Sequence, residues 1–246
     1  MKRVLIPLPD RDFDPTEAAI PWRALHDAGH EIVFATEQGA VAACDPRLIT
    51  GVVFGQLGAE RDALAAYARM IEAPAFQAPR RWSDLDVAEF DALLLPGGHA
   101  QGIRQYLGSV ELQQQVARFA ALDRPLAAIC HGVLLLARAI DPTTGRSVLH
   151  ARRTTCLPKY MEALAYGLTF WKVGRYYRTY PTYVEDEVRA ALASPQQFLR
   201  GPLTLGTRGS AEDDRAAFVV EDGNMLSARW PGDAYLFARK LRERMG

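Results

Sequence analysis

The chain has 246 residues, of which 49% are hydrophobic and 24% are charged. These fractions are typical of a folded globular protein and exclude a disordered or fibrous chain. Its 29 Lys and Arg residues balance its 29 Asp and Glu residues, so we expect neither nucleic acid nor an anionic membrane as a partner. No apolar run approaches the ~20 residues of a membrane span. The three cysteines are too few for a disulfide framework, and we expect a cytoplasmic protein.

Strands and helices alternate along most of the sequence. The apolar run 3–8 predicts a strand, the helical spacing over 16–28 predicts a helix, and the β-branched segment 31–36 predicts a second strand. Strand, helix and strand joined by short links form a βαβ unit, which predicts a parallel sheet. The later predicted elements are a helix at 61–73, a loop at 74–81, a strand at 90–96, a helix at 110–122, a strand at 125–129, a helix at 133–140, a strand at 218–220 and a helix at 233–244.

This alternation predicts an α/β sandwich on a largely parallel sheet. We expect a single domain over residues 1–246, with a less regular, insertion-like region at about 151–181. An aromatic cluster, residues 171–180, lies in that region, where it would pack under a loop, line a substrate pocket or form a subunit contact.

The most informative residue is Cys130, because the strand predicted at 125–129 ends at it and a helix follows almost at once. Ligands of parallel α/β sheets bind at the carboxyl ends of the strands. A tight strand–turn–helix elbow presents its turn side chain to a helix N-terminus, whose partial positive charge favours a thiolate. The sequence therefore predicts that Cys130 is a nucleophile and the most acidic thiol of the protein. The alternative is a buried structural thiol, the interpretation that we give to Cys44 and Cys156.

A cysteine nucleophile usually works with a base and an orienting acid. His131 adjoins Cys130, and His150 is the only histidine that follows. The cysteines and histidines show no paired ligand spacing, so we expect no metal site, and no cofactor is expected either. No His-x-Glu pair occurs after Cys130, which argues against glutaminase activity.

Two glycine-containing segments, Leu-Leu-Leu-Pro-Gly-Gly-His at 93–99 and Ala-Ile-Cys-His-Gly at 128–132, together resemble the ThiJ/PfpI superfamily, also called DJ-1/PfpI. The segments 14–17 and 28–36 fit the same family. Residues 181–188 are similar to a stretch of its heat-shock chaperone and glyoxalase III branch. The resemblance covers nearly the whole chain and implies a flavodoxin-like three-layer α/β sandwich, with a mostly parallel central sheet and helices on both faces.

The resemblance also implies roles for single residues. Cys130 matches the reactive cysteine, His131 matches the histidine beside it, and Glu17 matches the carboxylate that hydrogen-bonds the thiolate. The backbone N–H groups of Gly98 and His131 match the oxyanion hole. Glu162 is the expected counterpart of the acid that orients the histidine, although it would otherwise be an ordinary solvated helix carboxylate.

His99 and Gly97 are expected to line the substrate pocket. Val133 replaces the proline that is common after Gly132 in the chaperone branch, and that branch's metal-binding His and Glu set has no counterpart here. The resemblance implies a cysteine-dependent enzyme that acts on a small carbonyl or acyl compound, either as a glyoxalase III-like lyase or as an amidase. The alternatives are an intracellular protease and a non-enzymatic stress chaperone or redox sensor that uses the same oxidisable cysteine. Superfamily members commonly associate, so we expect a homodimer that uses the aromatic cluster at 171–180.

Overall fold

The computed structural model describes residues 1–53, 57–204 and 206–246. In these ranges the strands are β1 (Arg3–Pro7), β2 (Arg11–Phe13), β3 (Glu31–Thr36), β4 (Ala43–Cys44), β5 (Arg80–Arg81), β6 (Ala92–Leu95), β7 (Leu126–Ile129), β8 (Ile140–Asp141), β9 (Arg146–Ser147), β10 (Val219–Asp222) and β11 (Met225–Ala228). The α-helices are α1 (Pro15–Asp27), α2 (Pro46–Thr50), α3 (Arg61–Glu72), α4 (Pro74–Gln77), α5 (Arg104–Leu107), α6 (Val110–Ala120), α7 (Val133–Arg138), α8 (Lys159–Val173), α9 (Val184–Ala191) and α10 (Ala234–Met245).

Seven strands form the main sheet in the order β10-β11-β7-β6-β1-β3-β5. Its neighbouring strands run parallel except β10 and β11, which are antiparallel. Every residue of β6, β7 and β11 is buried, as expected for parallel strands that are covered on both faces. Strands β2 and β4 form a small parallel pair, and β8 and β9 form an antiparallel hairpin.

Two groups of helices enclose this sheet. Helix α1 packs against α3 and α10, while α7 packs against α6 and α9. The result is the flavodoxin-like three-layer α/β sandwich that the sequence predicts. Within the described ranges, no helix has both the length and the apolar character needed to cross a membrane.

Helix α1 begins where the sequence provides a cap. The Asp14 side chain accepts hydrogen bonds from the backbone N–H groups of Thr16 and Glu17, and Pro15 occupies the first helical position, where its missing N–H has no consequence. Gly29, with a φ of 80°, ends the helix in a left-handed conformation. The cap fixes where Glu17 lies, in the first turn of the helix.

Most predicted elements agree with the structure to within two or three residues, including β3 and β7. The loop predicted at 74–81 is wrong, because it contains α4 and the edge strand β5. The helix predicted at 133–140 ends at Arg138, since residues 140–141 pair in the β8–β9 hairpin. The region 151–181 contains helix α8.

Candidate active site

Cys130 lies in a sharp turn that follows β7 directly. It has a φ of 58°, a left-handed conformation that a non-glycine residue adopts only when its surroundings impose it. The side chain is fully buried. Gly132 allows the turn to lie against β6, because a Cβ atom there would overlap the backbone oxygen of Leu95 and lie 2.7 Å from that of Pro96.

His131 and His99 approach the thiol from one side. The Nδ1 atom of His131 lies 3.5 Å from the Sγ atom of Cys130, and the two imidazole rings are 4.9 Å apart at 69°. Burial lowers the pKa of His131 well below its usual value and the pKa of His99 to about 4. Both rings are therefore neutral at neutral pH, and His131 can accept a proton from the thiol.

Glu17 approaches from the opposite helix layer, out of α1. Its Oε2 atom accepts a hydrogen bond of 2.9 Å from the backbone N–H of Gly97, and its Oε1 atom has no hydrogen-bond partner among the described residues. Burial raises the pKa of Glu17 well above its usual value, and the nearby charge of Asp14 raises it further. Burial therefore favours the protonated carboxyl group, the form that can act as an acid.

The prediction that Cys130 is the most acidic thiol is opposed by its surroundings. Burial raises the pKa of the Cys130 thiol well above its usual value, and the negative charges that Glu17 and Asp14 carry when ionised raise it further. For comparison, burial raises the pKa of Cys44 to about 11. Desolvation outweighs the helix N-terminus because the turn is sealed from solvent and α7 is only six residues long. The resting site holds a neutral thiol.

The two neighbouring glycines have different surroundings. A Cβ atom on Gly97 would lie 2.8 Å from both Glu17 Oε2 and the backbone nitrogen of His131, whereas one on Gly98 would meet the backbone of Asp12. The Gly97 N–H already serves Glu17, which leaves the Gly98 N–H as the predicted oxyanion donor. The His131 backbone N–H acts on the Cys130 sulfur and lowers the pKa of the thiol, so it lies beside the reacting atom and remains the second predicted oxyanion donor.

Glu162 does not make the orienting hydrogen bond that the sequence predicts. Its Oε1 atom accepts from Arg178 Nη1 at 2.8 Å, and its Oε2 atom accepts from the backbone N–H of Val184 at 3.0 Å. The Nε2 atom of His131 has no partner among the described residues. Glu162 is not a solvated carboxylate either, because it is only 1% exposed. Its connection to the imidazole runs through Arg178, whose positive charge contributes to the lowered pKa of His131.

The segment between α8 and α9, residues 174–183, closes the site. The ring of Tyr177 lies 6.0 Å from that of His99, edge to face, and the Thr179 hydroxyl donates to the His99 carbonyl oxygen. Tyr176 and Tyr177 both donate to the buried carboxylate of Asp45. We name residues 174–183 the cover segment. It covers the site, in which Cys130 and His131 are fully buried and His99 is half-buried.

The aromatic cluster at 171–180 is divided by this arrangement. Tyr177 is 5% exposed, whereas Trp171 is 60% exposed at the end of α8. The first lines the candidate site and the second belongs to the surface.

Sequence reasoning missed the roles of Asp14, Asp45 and Arg178. The Asp-Pro-Thr pattern at 14–16 is a recognisable helix start, and it could have identified Asp14 as a cap beside Glu17. The other two residues are brought to the site by long-range packing, for which the sequence carries no local signal. The same packing gathers His99, Cys130 and His131, whose ligand atoms lie within 4.8 Å of one another and could hold a metal ion.

A sequence profile described as ThiJ/PfpI family-like matches residues 8–202. The chain belongs to the ThiJ/PfpI family. The matched range contains Glu17, Gly97, Cys130 and His131, so the candidate site lies entirely within the family's own region.

Similar proteins extend over nearly the whole of this ThiJ/PfpI chain. An uncharacterised protein of Schizosaccharomyces pombe is 28% identical over 250 residues, which cover 98% of this chain and 82% of that protein. A deglycase of Pyrococcus abyssi is 26% identical over 97% of this chain and 96% of its own length. The crystal structure of glyoxalase III from Candida albicans superimposes with a TM-score of 0.70 and 19% identity, and covers 99% of this chain and 97% of that chain; at that identity the likeness shows the fold.

Proposed function

We propose that this chain is a cysteine-dependent enzyme that converts a small reactive carbonyl compound, an α-oxoaldehyde such as methylglyoxal, to the corresponding hydroxy acid. The observation that carries the proposal is a buried thiol 3.5 Å from an imidazole nitrogen, beside a buried carboxyl group whose protonated form burial favours. The relative that is named a deglycase supports an enzymatic role.

The first step forms a bond between Cys130 Sγ and the aldehyde carbon. The thiol proton passes to His131 Nδ1, which lies 3.5 Å away, and the carbonyl electron pair moves to oxygen. The N–H groups of His131 and Gly98 stabilise that oxygen, and Glu17 then gives it a proton. The product is a hemithioacetal, with Glu17 ionised and His131 protonated.

The second step moves a proton between the two carbon atoms. The Glu17 carboxylate removes the hydrogen of the former aldehyde carbon, and His131 protonates the neighbouring oxygen to give an enediol. Glu17 returns its proton to the second carbon and recovers one from the first hydroxyl group, which leaves a thioester on Cys130. Water then attacks the thioester, and His131 carries the proton of that water to the departing sulfur. The net reaction converts the oxoaldehyde and one water molecule to the hydroxy acid.

The covered position of Cys130 favours this reaction over cleavage of a polypeptide. Cys130 is fully buried and the cover segment lies over His99, so an extended chain could not reach the sulfur without displacement of the whole segment. A three-carbon aldehyde requires far less space. A neutral resting site also suits an uncharged electrophile, because charge develops only after the substrate has entered.

The test is conversion of methylglyoxal by the purified protein without glutathione, with lactate measured by NMR. We expect turnover that Cys130→Ala abolishes and that the matched control Cys44→Ala retains. Cleavage of chromogenic peptides without lactate formation would replace the proposal with the protease alternative, and turnover that survives Cys130→Ala would overturn the role of the thiol.

A further inference from the structure

The fold brings the side chain of His99 next to those of Cys130 and His131, which are neighbours in the sequence. One ligand atom each of His99, Cys130 and His131 lies within 4.8 Å of the others. A thiolate with two imidazoles is a donor set for zinc and similar borderline ions, whereas calcium and magnesium prefer oxygen ligands. The chemistry of the cluster therefore selects one class of metal.

The distances agree with coordination. Zinc bonds of about 2.3 Å to sulfur and 2.0 Å to nitrogen, at a tetrahedral angle, separate the two ligand atoms by roughly 3.6 Å. Cys130 Sγ and His131 Nδ1 are 3.5 Å apart. Only His99 would need to move closer, and it is the least buried of the three ligands.

The imidazoles also have free nitrogen atoms. Within the described part of the chain, the Nε2 atoms of His99 and His131 are buried and have no hydrogen-bond partner. His131 would bind the ion through Nδ1, the atom near Cys130 Sγ, so its own Nε2 does not bear on the metal site. The unpartnered Nε2 of His99 is available as a ligand atom, and a buried polar atom without a partner costs about 1–3 kcal/mol.

The charges around the cluster are mixed and close to balanced. Asp14 and Glu17, when ionised, oppose the ionisation of Cys130, and the same negative charge would favour a divalent cation. Arg138 and Arg178 act on His131 in the opposite sense, but each is already paired, with Glu187 and Glu162 respectively. The surroundings therefore do not exclude a bound cation.

We propose that His99, Cys130 and His131 form a binding site for Zn²⁺ or a related divalent ion, and that the bound ion silences the Cys130 nucleophile. Binding forms a metal–sulfur bond and releases the thiol proton to solvent. The three protein ligands leave a fourth position for water. The binding site stands on the geometry alone, whereas the silencing rests on the proposed function. This proposal departs from the sequence prediction, which found no ligand spacing because only the fold brings His99 to the elbow.

Cobalt is the probe for the site, because Co²⁺ takes zinc's geometry and has a visible spectrum. Metal-free protein is titrated with Co²⁺, and we expect tetrahedral bands and a near-ultraviolet thiolate-to-cobalt band that saturate at a single equivalent and disappear when Zn²⁺ is added. Cys130→Ser should remove the thiolate band, and His99→Ala should weaken binding at least about tenfold. The controls Cys44→Ala and His150→Ala should bind like the parent chain, with circular dichroism to confirm folding of every variant.

The outcomes separate the site from the proposed function. Absence of the thiolate band in the parent chain, or its persistence in Cys130→Ser, overturns the metal site, and so does cobalt binding that is lost in His150→Ala instead. If the band forms but metal-free protein converts no oxoaldehyde, the site stands and the proposed function fails. If turnover depends on Cys130 but a stoichiometric amount of Zn²⁺ leaves it unchanged, the silencing is wrong.

Discussion

Position 97 shows how little space the candidate site leaves for a side chain. A Cβ atom there would lie 2.8 Å from Glu17 Oε2 and from the His131 backbone nitrogen. We expect Gly97→Ala to push the carboxyl group and the oxyanion donor apart, to abolish turnover, and to lower the free energy of unfolding by about 1–3 kcal/mol. Steady-state kinetics and urea unfolding measure the two effects.

The matched control is Gly167→Ala in the middle of α8, where a Cβ atom meets nothing within 4 Å. Alanine is the better helix former, so the free energy of unfolding of this variant should rise by about 0.5–1 kcal/mol, and its activity should be unchanged. A Gly97→Ala variant that is as active as Gly167→Ala would show that the Glu17–Gly97 contact does not position the acid.

Asp14 predicts a pH dependence of stability. Burial raises its pKa to about 6 from an ordinary 3.8, so the folded state holds this proton more tightly than the unfolded state. The associated stability is present below pH 3.8 and is lost as the pH rises through about 6, a change of about 3 kcal/mol. Asp14→Asn keeps the helix cap and removes the buried charge. Its free energy of unfolding should equal that of the parent chain near pH 4 and exceed it by up to about 3 kcal/mol near pH 8.

The control for this measurement is Asp62→Asn, which should show the opposite sign. Arg23 and Tyr235 hold the pKa of Asp62 at about 2, so its stabilisation is present above pH 3.8 and lost only as the pH falls through about 2. Asp62→Asn should therefore lower stability at pH 8, where urea unfolding would detect it. Equal behaviour of the two variants would contradict the burial argument for Asp14.

At the scale of elements, the ion pair between Glu162 of α8 and Arg178 fixes the cover segment. The two side chains are 1% and 10% exposed and 2.8 Å apart. Removal of one partner leaves a buried charge without compensation. Glu162→Gln should therefore lower the free energy of unfolding by about 3 kcal/mol and increase hydrogen exchange over residues 174–183. Addition of Arg178→Gln to that variant should recover part of the loss.

This experiment also tests the orienting role that the sequence predicts for Glu162. If Glu162→Gln keeps its stability but loses roughly two to four decades of turnover, the carboxylate acts on His131 as in related triads, in a conformation other than the one described here. If stability falls and turnover of the folded fraction does not, the ion pair with Arg178 is its function.

The contrast between predicted and missed elements has a physical cause. The buried strands are continuous apolar runs next to proline and glycine, which the sequence displays directly. Helix α8 was missed because it is apolar on nearly all sides, with Leu164 and Leu168 each close to half exposed, so no helical period stands out. The elbow follows from a motif at the end of a strand, and the place of Glu17 beside it follows from the family resemblance. The partners of Glu162 depend on how α8 and α9 pack.

For the whole molecule, the exposed face of α8 bears on the expected homodimer. Leu168, Phe170 and Trp171 are 48%, 54% and 60% exposed, a concentration of large apolar side chains that is typical of an interface. We expect sedimentation equilibrium to give twice the 27.2 kDa chain mass. Leu168→Glu combined with Trp171→Glu should give the monomer.

The control is Ile140→Glu, which changes a 51% exposed side chain on the β8–β9 hairpin and should leave the mass unchanged. A parent chain that sediments as a monomer at tens of micromolar would rule out the dimer.

The reactive turn is held by two elements that lie far beyond it in the sequence. Ile129, the residue before Cys130, pairs with Ala228 of β11, and α1, which carries Glu17, packs against α10. Domains fold as units during synthesis. A nascent chain whose residues 225–245 have not yet emerged from the ribosome therefore lacks both contacts. Until those residues emerge, the turn lacks the packing that buries the Cys130 thiol.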